Sequence, residues 1–316
     1  MKKSASTFGT AAYGGGGWSQ RTVTHLEEMG TLWTGGLNSE WRPLKTVLLR
    51  RPGAEIIVDD VDAAQQLEAL DLATAQAEHD ALADTYRSEG VDVLTVSDVP
   101  NPTPNRMFCA DLFAMTPGGA ILARPASTVR AGEEVAVAAA LAAAQVPIVA
   151  TLMGDATFEG ADLMWLDRDT ALLGLGLRTN PAAAAQIIEV LVRMGATALV
   201  ADMPFGTMHL MGMLRIADKD LAIAWPRRTP HRAVMELRHR GYEVAFLPDD
   251  DEVQANRALN FVTLGPRRIL MPAGNPSTKA WYESLGITVL ETPMFELRKA
   301  AGAVGCLTGI VAREMG

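Results

Sequence analysis

Apolar and polar positions along this chain alternate in a repeating order of short apolar runs and longer amphipathic stretches. Leu44-Lys-Thr-Val-Leu-Leu-Arg50 reads as a strand that ends at an Arg51-Pro-Gly turn. From Ala63 to Ser88 the spacing predicts a helix, with Leu67, Leu70, Leu72, Ala75, Leu82 and Tyr86 near one face. Gly90 stops it, and Val91-Asp-Val-Leu-Thr-Val is a strand. A Pro- and Asn-rich loop then leads through Met107–Met115 to a Pro-Gly-Gly turn. Beyond it come a strand at Gly119–Arg124, a helix at Glu133–Ala144 and a strand at 148–150.

The same order returns three times. Phe158–Leu166 and Ala171–Gly174 precede a helix at Pro181–Met194, which Asn180 should cap with Pro181 as its first residue. A strand at 198–201 follows. Next come an apolar strand from Met208 to Ile216, a strand at 221–225, a helix at Pro230–Arg240 and a strand at 243–246. The last unit is 260–264, 268–271, a helix at Thr278–Leu285 and 287–290. Two strands, a helix and a strand thus recur about every 50–60 residues. Strand pairs between helices disfavour a doubly wound parallel sheet and suit a ring of small α/β units around a central site. No Gly-x-Gly-x-x-Gly opens a helix and no Walker motif is present, so nothing points to a nucleotide cofactor.

Residues 1–36 differ from the rest. They are rich in Gly, Ser and Thr, with glycines at 14–17, and read as an arm that is mobile or ordered by a neighbouring subunit. Trp18 and Trp33 give it something to bury. Residues 37–316 are expected to form one domain. A composition 48% hydrophobic and 21% charged fits a globular protein with a sizeable core. The net charge of −9 argues against nucleic acid or an anionic membrane as partner. Two cysteines make no disulfide framework, and the start has no apolar signal-peptide core. The expectation is a cytoplasmic protein acting on a small molecule, its oligomeric state open.

Chemistry has few candidates. Cys306 lies among Ala300, Ala301, Gly302, Ala303, Gly305 and Gly309, small residues that leave a thiol uncovered, and near Arg298 and Lys299, which could lower its pKa. Taken alone, it reads first as a buried, inert cysteine, since free cysteine is among the most buried residue types. His209, in an apolar segment, is a general-base candidate or a core histidine. Glu159 and Asp162 could orient it or tie down their own loop. Asp111, set between Phe108 and Leu112-Phe113, needs a partner or a ligand, because an unpaired buried charge is costly. Asp249-Asp-Asp-Glu252 reads as a solvated loop. No metal is expected, as no His-x-x-x-His, Cys-x-x-Cys or dense acidic cluster has ligand spacing.

Asn105-x-x-Phe108-x-x-Asp111, then Glu159-Gly-x-Asp162, then His209-Leu, then a Gly-rich Cys306-Leu-Thr near the carboxyl end resembles the guanidino-group-modifying, or pentein, superfamily. That superfamily includes arginine deiminases, dimethylarginine dimethylaminohydrolases and amidinotransferases. The resemblance runs from about Asn38 to Arg313. It implies a five-bladed α/β propeller of ββαβ units around a central active site. It also implies Cys306 as nucleophile, His209 as general acid/base, Glu159 as its orienting carboxylate and Asp111 on the substrate nitrogens. Asn105 and Arg178 would hold the rest of the substrate. No cofactor is implied.

Departures from the pattern shift the substrate. Met211 stands where deiminases usually carry an aspartate, Cys109-Ala110 where Thr-Arg is common, and Gly305 where a histidine often precedes the cysteine. Apolar groups replace charged ones beside Phe108, Asp162 and Met211, the further expected lining. The sequence therefore points to a substrate smaller and less charged than arginine, in its sharpest form a 2-nitroimidazole losing nitrite. An arginine or dimethylarginine hydrolase, an amidinotransferase and a ring that only binds a ligand are the alternatives.

Overall fold

The computed structural model describes residues 9–248 and 251–316. Five three-stranded sheets form the blades of a propeller. In the first blade β1 (Leu44–Leu49) is followed by α1 (Leu72–Ser88) and β2 (Asp92–Thr95). The second contains β3 (Phe113–Thr116), β4 (Gly119–Leu122), α2 (Glu133–Ala143) and β5 (Ile148–Thr151). The third contains β6 (Leu163–Asp167), β7 (Thr170–Leu175), α3 (Pro181–Arg193) and β8 (Thr197–Asp202). In the fourth, β9 (Leu214–Asp218) and β10 (Leu221–Ala224) precede α4 (His231–His239) and β11 (Glu243–Phe246). A short helix α5 (Asp251–Asn256) leads to the fifth: β12 (Val262–Gly265), β13 (Arg268–Pro272), α6 (Pro276–Ser284) and β14 (Thr288–Thr292). After a one-turn helix α7 (Val304–Leu307), β15 (Gly309–Arg313) returns to the first blade.

Pairing within every blade follows one rule. A hairpin pairs antiparallel, as Phe113 with Leu122, and the strand after the helix pairs parallel with the hairpin's second strand, as Ala120 with Ile148. The ring is closed by the chain ends: β15 supplies the first blade's missing strand, antiparallel to β1 with Val47 opposite Ile310. The hairpin strands of the second and third blades are almost wholly buried, whereas β2 and β5 alternate between exposed ends and half-buried centres. Buried runs such as Phe113-Ala-Met-Thr116 thus lie inward and half-polar strands outward. Trp165 on β6 crosses to the neighbouring blade, where its indole N–H donates to the Met115 carbonyl at 3.0 Å.

Local sequence explains the helix ends. Asp71 caps α1 by accepting the Thr74 N–H, and Asn180 caps α3 by accepting that of Ala183, with Pro181 in the first turn. The helix expected from Ala63 begins nine residues later. Gln65 takes a left-handed φ of 61°, and the N–H groups of Leu67 and Glu68 donate to the Lys299 carbonyl, so 61–71 is a loop drawn across the propeller face. Leu67, placed on a buried helical face by its spacing, is exposed. Asp251–Asn256 is helix, not loop: Glu252 accepts the N–H groups of Ser277 and Thr278 at the start of α6. Asp249 and Asp250 lie outside the described residues. The amino-terminal segment touches its own chain from His25 onward. The His25 ring bonds the Gly118 carbonyl at 2.6 Å, and Thr34 and Gly36 donate to Gln145 and Val311. Trp18 is exposed and Trp33 half-buried. Among the described residues, no helix is long and apolar enough to cross a membrane.

Candidate active site

Each blade's first strand is entered through a short segment that brings a polar side chain to the propeller centre. These side chains are Asp111 two residues before β3, Glu159 four before β6, His209 five before β9, Asn260 two before β12 and Cys306 three before β15. The propeller closes these entries onto one another, so residues about fifty positions apart meet at its centre. His209, expected inside a long strand, instead precedes a 3₁₀ turn at Leu210–Gly212. Its chain bends there because the Leu210 N–H donates to Asp162 Oδ1 at 2.9 Å rather than to a strand neighbour.

Charge is concentrated around His209. Its Nε2 lies 2.6 Å from Glu159 Oε2, and its Nδ1 is 3.7 Å from Asp111 Oδ1, too far for a hydrogen bond. Glu159 also accepts from Arg178 at 3.1 Å and Arg130 at 3.3 Å, and Arg130 donates to Asp111 Oδ2 at 2.7 Å. Burial opposes charge on the imidazole, but Asp111 and the Glu159 hydrogen bond outweigh it and hold His209 protonated well above the usual range. Burial likewise opposes charge on Glu159, and His209, Arg130 and Arg178 overcome it, so its carboxylate stays ionised. Asp111, Glu159 and His209 each offer a donor atom, all within 4.8 Å of one another, a set a metal ion could use. Arg130 already lies against both carboxylates as their cation, which makes the set a charge-balanced triad rather than a vacant metal site.

The thiol of Cys306 is held from the fifth blade. Asn260 Nδ2 donates to Sγ at 3.1 Å, while Asn260 Oδ1 accepts the N–H groups of Gly305 and Cys306 at 2.8 and 3.1 Å. Burial pushes the thiol pKa up and Asp111 adds to this; the Ala303 backbone, Asn260 and Arg215 pull it back. The cations expected beside the thiol are elsewhere: Arg298 donates to Asn256, and Lys299 pairs with Glu296. The buried guanidinium is that of Arg215, on β9. The small residues around Cys306 serve close packing: a Cβ on Gly305 would lie 2.0 Å from Arg215, and one on Gly302 2.3 Å from Phe108.

Cys306 and His209 line two adjoining cavities. The smaller, of about 30 Å³, also contains Asn105, Phe108, Asp111, Arg130, Arg178 and Met208. The larger, of about 280 Å³, contains Met211, Met213, Trp225, Arg228, Arg257 and Asn260. Asn105 donates to the Ala64 carbonyl at 2.7 Å, and its buried Oδ1 is without a partner. Asp162 departs from its expected place on the substrate. It lines neither cavity and accepts from Thr179 Oγ1 and the Leu210 N–H behind His209, and burial pushes its pKa up to about 6.

Four residues escaped the sequence reading. Asn260 had a signal, since it precedes its strand by the same two residues as Asp111. Arg130 is the partner that so apolar a setting demanded for Asp111, but nothing in Ser127-Thr-Val-Arg130 marks it. Arg215 and Arg257 stand in ordinary strand and helix-end contexts.

Residues 59–257, more than half of the chain, match the family model described as "N,N dimethylarginine dimethylhydrolase, eukaryotic". An N(G),N(G)-dimethylarginine dimethylaminohydrolase from Pseudomonas aeruginosa is 26% identical over 265 residues, covering 84% of this chain and 98% of the relative. A crystal structure of a dimethylarginine dimethylaminohydrolase adduct with 4-chloro-2-hydroxymethylpyridine superposes with a TM-score of 0.70 at 24% identity, covering 86% of this chain and 100% of the other. SxtG, an amidinotransferase from Microseira wollei, reaches a TM-score of 0.72 at 14% identity, over 89% of this chain and 97% of its own. These structural likenesses establish the fold, the five-bladed α/β propeller that the resemblance implied and with which the repeat agrees. Together with the extent of the family match, they mean that this chain belongs to the N,N-dimethylarginine dimethylhydrolase family within the guanidino-group-modifying superfamily, and is a hydrolase of C–N bonds in amidine-like compounds.

Proposed function

We propose that the protein hydrolyses an N-substituted guanidine or amidine through a thioether-linked intermediate on Cys306, with substrates of the arginine and dimethylarginine type preferred. The observation that carries this reading is Asp111 Oδ1: a buried carboxylate oxygen without a hydrogen-bond partner, in a cavity that Cys306 and His209 share. It is an acceptor awaiting an N–H, and an amidinium beside a trigonal carbon supplies one.

The residues then act in sequence. A bound amidinium lies between Asp111 and the thiol, and its charge favours the thiolate. At about 4 Å and an effective dielectric near 20, such a pair is worth about 4 kcal/mol, and it acts against the upward pull of burial on the thiol. The thiolate attacks the central carbon. His209, charged and held by Glu159 at Nε2, gives its Nδ1 proton to the departing nitrogen, and the C–N bond breaks. The neutral imidazole next takes a proton from water. The resulting hydroxide adds to the carbon, and the C–S bond breaks to restore the thiolate. Acid–base assistance of this kind contributes roughly 10²–10⁴-fold. Asn260 fixes Sγ through its amide hydrogen bond, and Arg178 keeps Glu159 ionised.

Denitration of a 2-nitroimidazole remains the second reading. The thioether wall of Met208, Met211 and Met213 favours it, since a neutral ring tolerates an apolar surface. The names of the relatives favour the guanidine. The test offers dimethylarginine, arginine, small guanidines and 2-nitroimidazole to the purified protein. Release of dimethylamine or ammonia with a ureido product supports the proposal. Nitrite release alone would support the second reading. A Cys306→Ala protein that turns over any of them unimpaired defeats both.

A further inference from the structure

A guanidinium that lines neither cavity packs against the turn carrying the nucleophile. Arg215 stands on β9, opposite Ile223 of β10, and is buried. A Cβ on Gly305 would lie 2.0 Å from its Nη2 and 3.1 Å from Asn260 Oδ1. Arg215 thus reaches both the residue before Cys306 and the amide that binds Sγ. Its guanidinium carbon is 5.9 Å from the centre of the Phe261 ring, an apolar neighbour on the fifth blade. Nε and Nη2 are buried without a hydrogen-bond partner, and no carboxylate among the described residues forms an ion pair with the group.

Charge is unbalanced around it. Glu40 is the carboxylate that favours the charge of both Arg215 and Arg313, and its Oε1 already accepts the Trp165 N–H at 2.9 Å. Burial pulls the pKa of each arginine down to about 10. For Arg215 the strongest opposing influence is Cys306, ahead of Glu40, Tyr282 and Tyr86. A buried cation without a matching anion is costly. The anion that can form beside Arg215 during the reaction is the Cys306 thiolate.

Building on the reading of Cys306 as nucleophile, we propose that Arg215 is a positioning residue for the covalent step: with Asn260 it backs the Gly305-Cys306 turn, and it presents the fixed positive charge against which the thiolate forms. Other charges face Sγ from other segments. Asp111 opposes the thiolate, while protonated His209 and Arg257, in the cavity walls, favour it. Arg215 lines neither cavity, so its effect is present in the empty enzyme as well as in the complex.

The test is the pH dependence of iodoacetamide labelling of Cys306, followed on its peptide in the full-length protein without substrate. In Arg215→Met the labelling midpoint should rise by about one pH unit or more. Arg215→Lys keeps the charge and should move it less than half as far. Gly305→Ala keeps the arginine, but its Cβ must displace Nη2, so its midpoint should rise too; this variant keeps the test open if Arg215→Met does not fold. Arg193→Met, on an exposed face of α3, should leave the midpoint unchanged. Thermal midpoints of the same proteins identify a purely structural role: lost packing would lower the stability of both Arg215 variants and leave labelling at its native midpoint. A midpoint unmoved in Arg215→Met, or in Gly305→Ala where that variant stands in for it, overturns the proposal, as do equal midpoints in the Met and Lys variants. Because labelling needs no substrate, its outcome stands apart from the hydrolase reading, which falls only if amidine turnover is absent or survives loss of Cys306.

Discussion

Replacing Glu159 with glutamine removes one charge from the centre of the site and almost no volume. Its Oε2 lies 2.6 Å from His209 Nε2, and both groups are buried. A hydrogen bond between ionised groups contributes about 1.5–3 kcal/mol. One pH unit corresponds to about 1.36 kcal/mol, so the His209 titration midpoint should fall by about one to two units in Glu159→Gln. Asp111, at 3.7 Å from Nδ1, keeps part of the elevation. Arg130 and Arg178, relieved of their shared anion, push the midpoint further down. The assay is an NMR titration of the ring protons, with His209 assigned by its absence in His209→Asn. The chain has five histidines, and His79, which burial pushes down to about 4, titrates in a separate range. Turnover measured alongside should drop roughly 10²–10⁴-fold. A folded Glu159→Gln protein whose His209 midpoint equals that of the native protein would refute the assignment of Glu159 as the group that keeps the imidazole charged.

Three further outcomes follow from the same geometry. Asn260→Ala should slow iodoacetamide labelling of Cys306 and move its pH midpoint upward, because Sγ loses its donor and the Gly305 and Cys306 N–H groups lose their acceptor; unchanged labelling would remove Asn260 from the site. The kcat/KM profile should be bell-shaped with its maximum above the ordinary imidazole range of about 6.5, since the thiol ionises late and His209 keeps its proton up to about 9; a maximum on the acid side would contradict both assignments. His209 binds its proton more tightly folded than unfolded. Its contribution to stability is therefore whole below about 6.5 and is lost as pH rises through about 9, so the urea midpoint should fall across that window, and less steeply in Glu159→Gln.

The ring was legible because strand pairs and helices recur at a constant interval and because the hairpin strands are long enough in apolar residues to be read as buried. Asp111, Glu159, His209 and Cys306 could be singled out because each polar residue stands in an apolar or small-residue setting that needs a reason. What stayed hidden depends on long-range contact. The start of α1 is set by Lys299, more than two hundred residues away, through bonds to Leu67 and Glu68, and local periodicity carries no trace of that. The basic pair Arg298-Lys299 is close to Cys306 in sequence yet bound to Asn256 and Glu296, whereas Arg215, ninety-one positions upstream, packs against Gly305. Asp162 sits three residues from Glu159, but the 3₁₀ turn between them points it behind the histidine loop.

The central claim is that Cys306 carries the covalent step, and acid-quenched mass spectrometry of the enzyme during turnover tests it most directly. Cys109 is an internal control, buried, with its thiol pushed up to about 12. The account predicts a mass increase equal to the substrate less its leaving group, confined to the peptide containing Cys306, absent from the Cys109 peptide, and lost with all turnover in Cys306→Ala. Full turnover by that variant, or an adduct on any other residue, would contradict it.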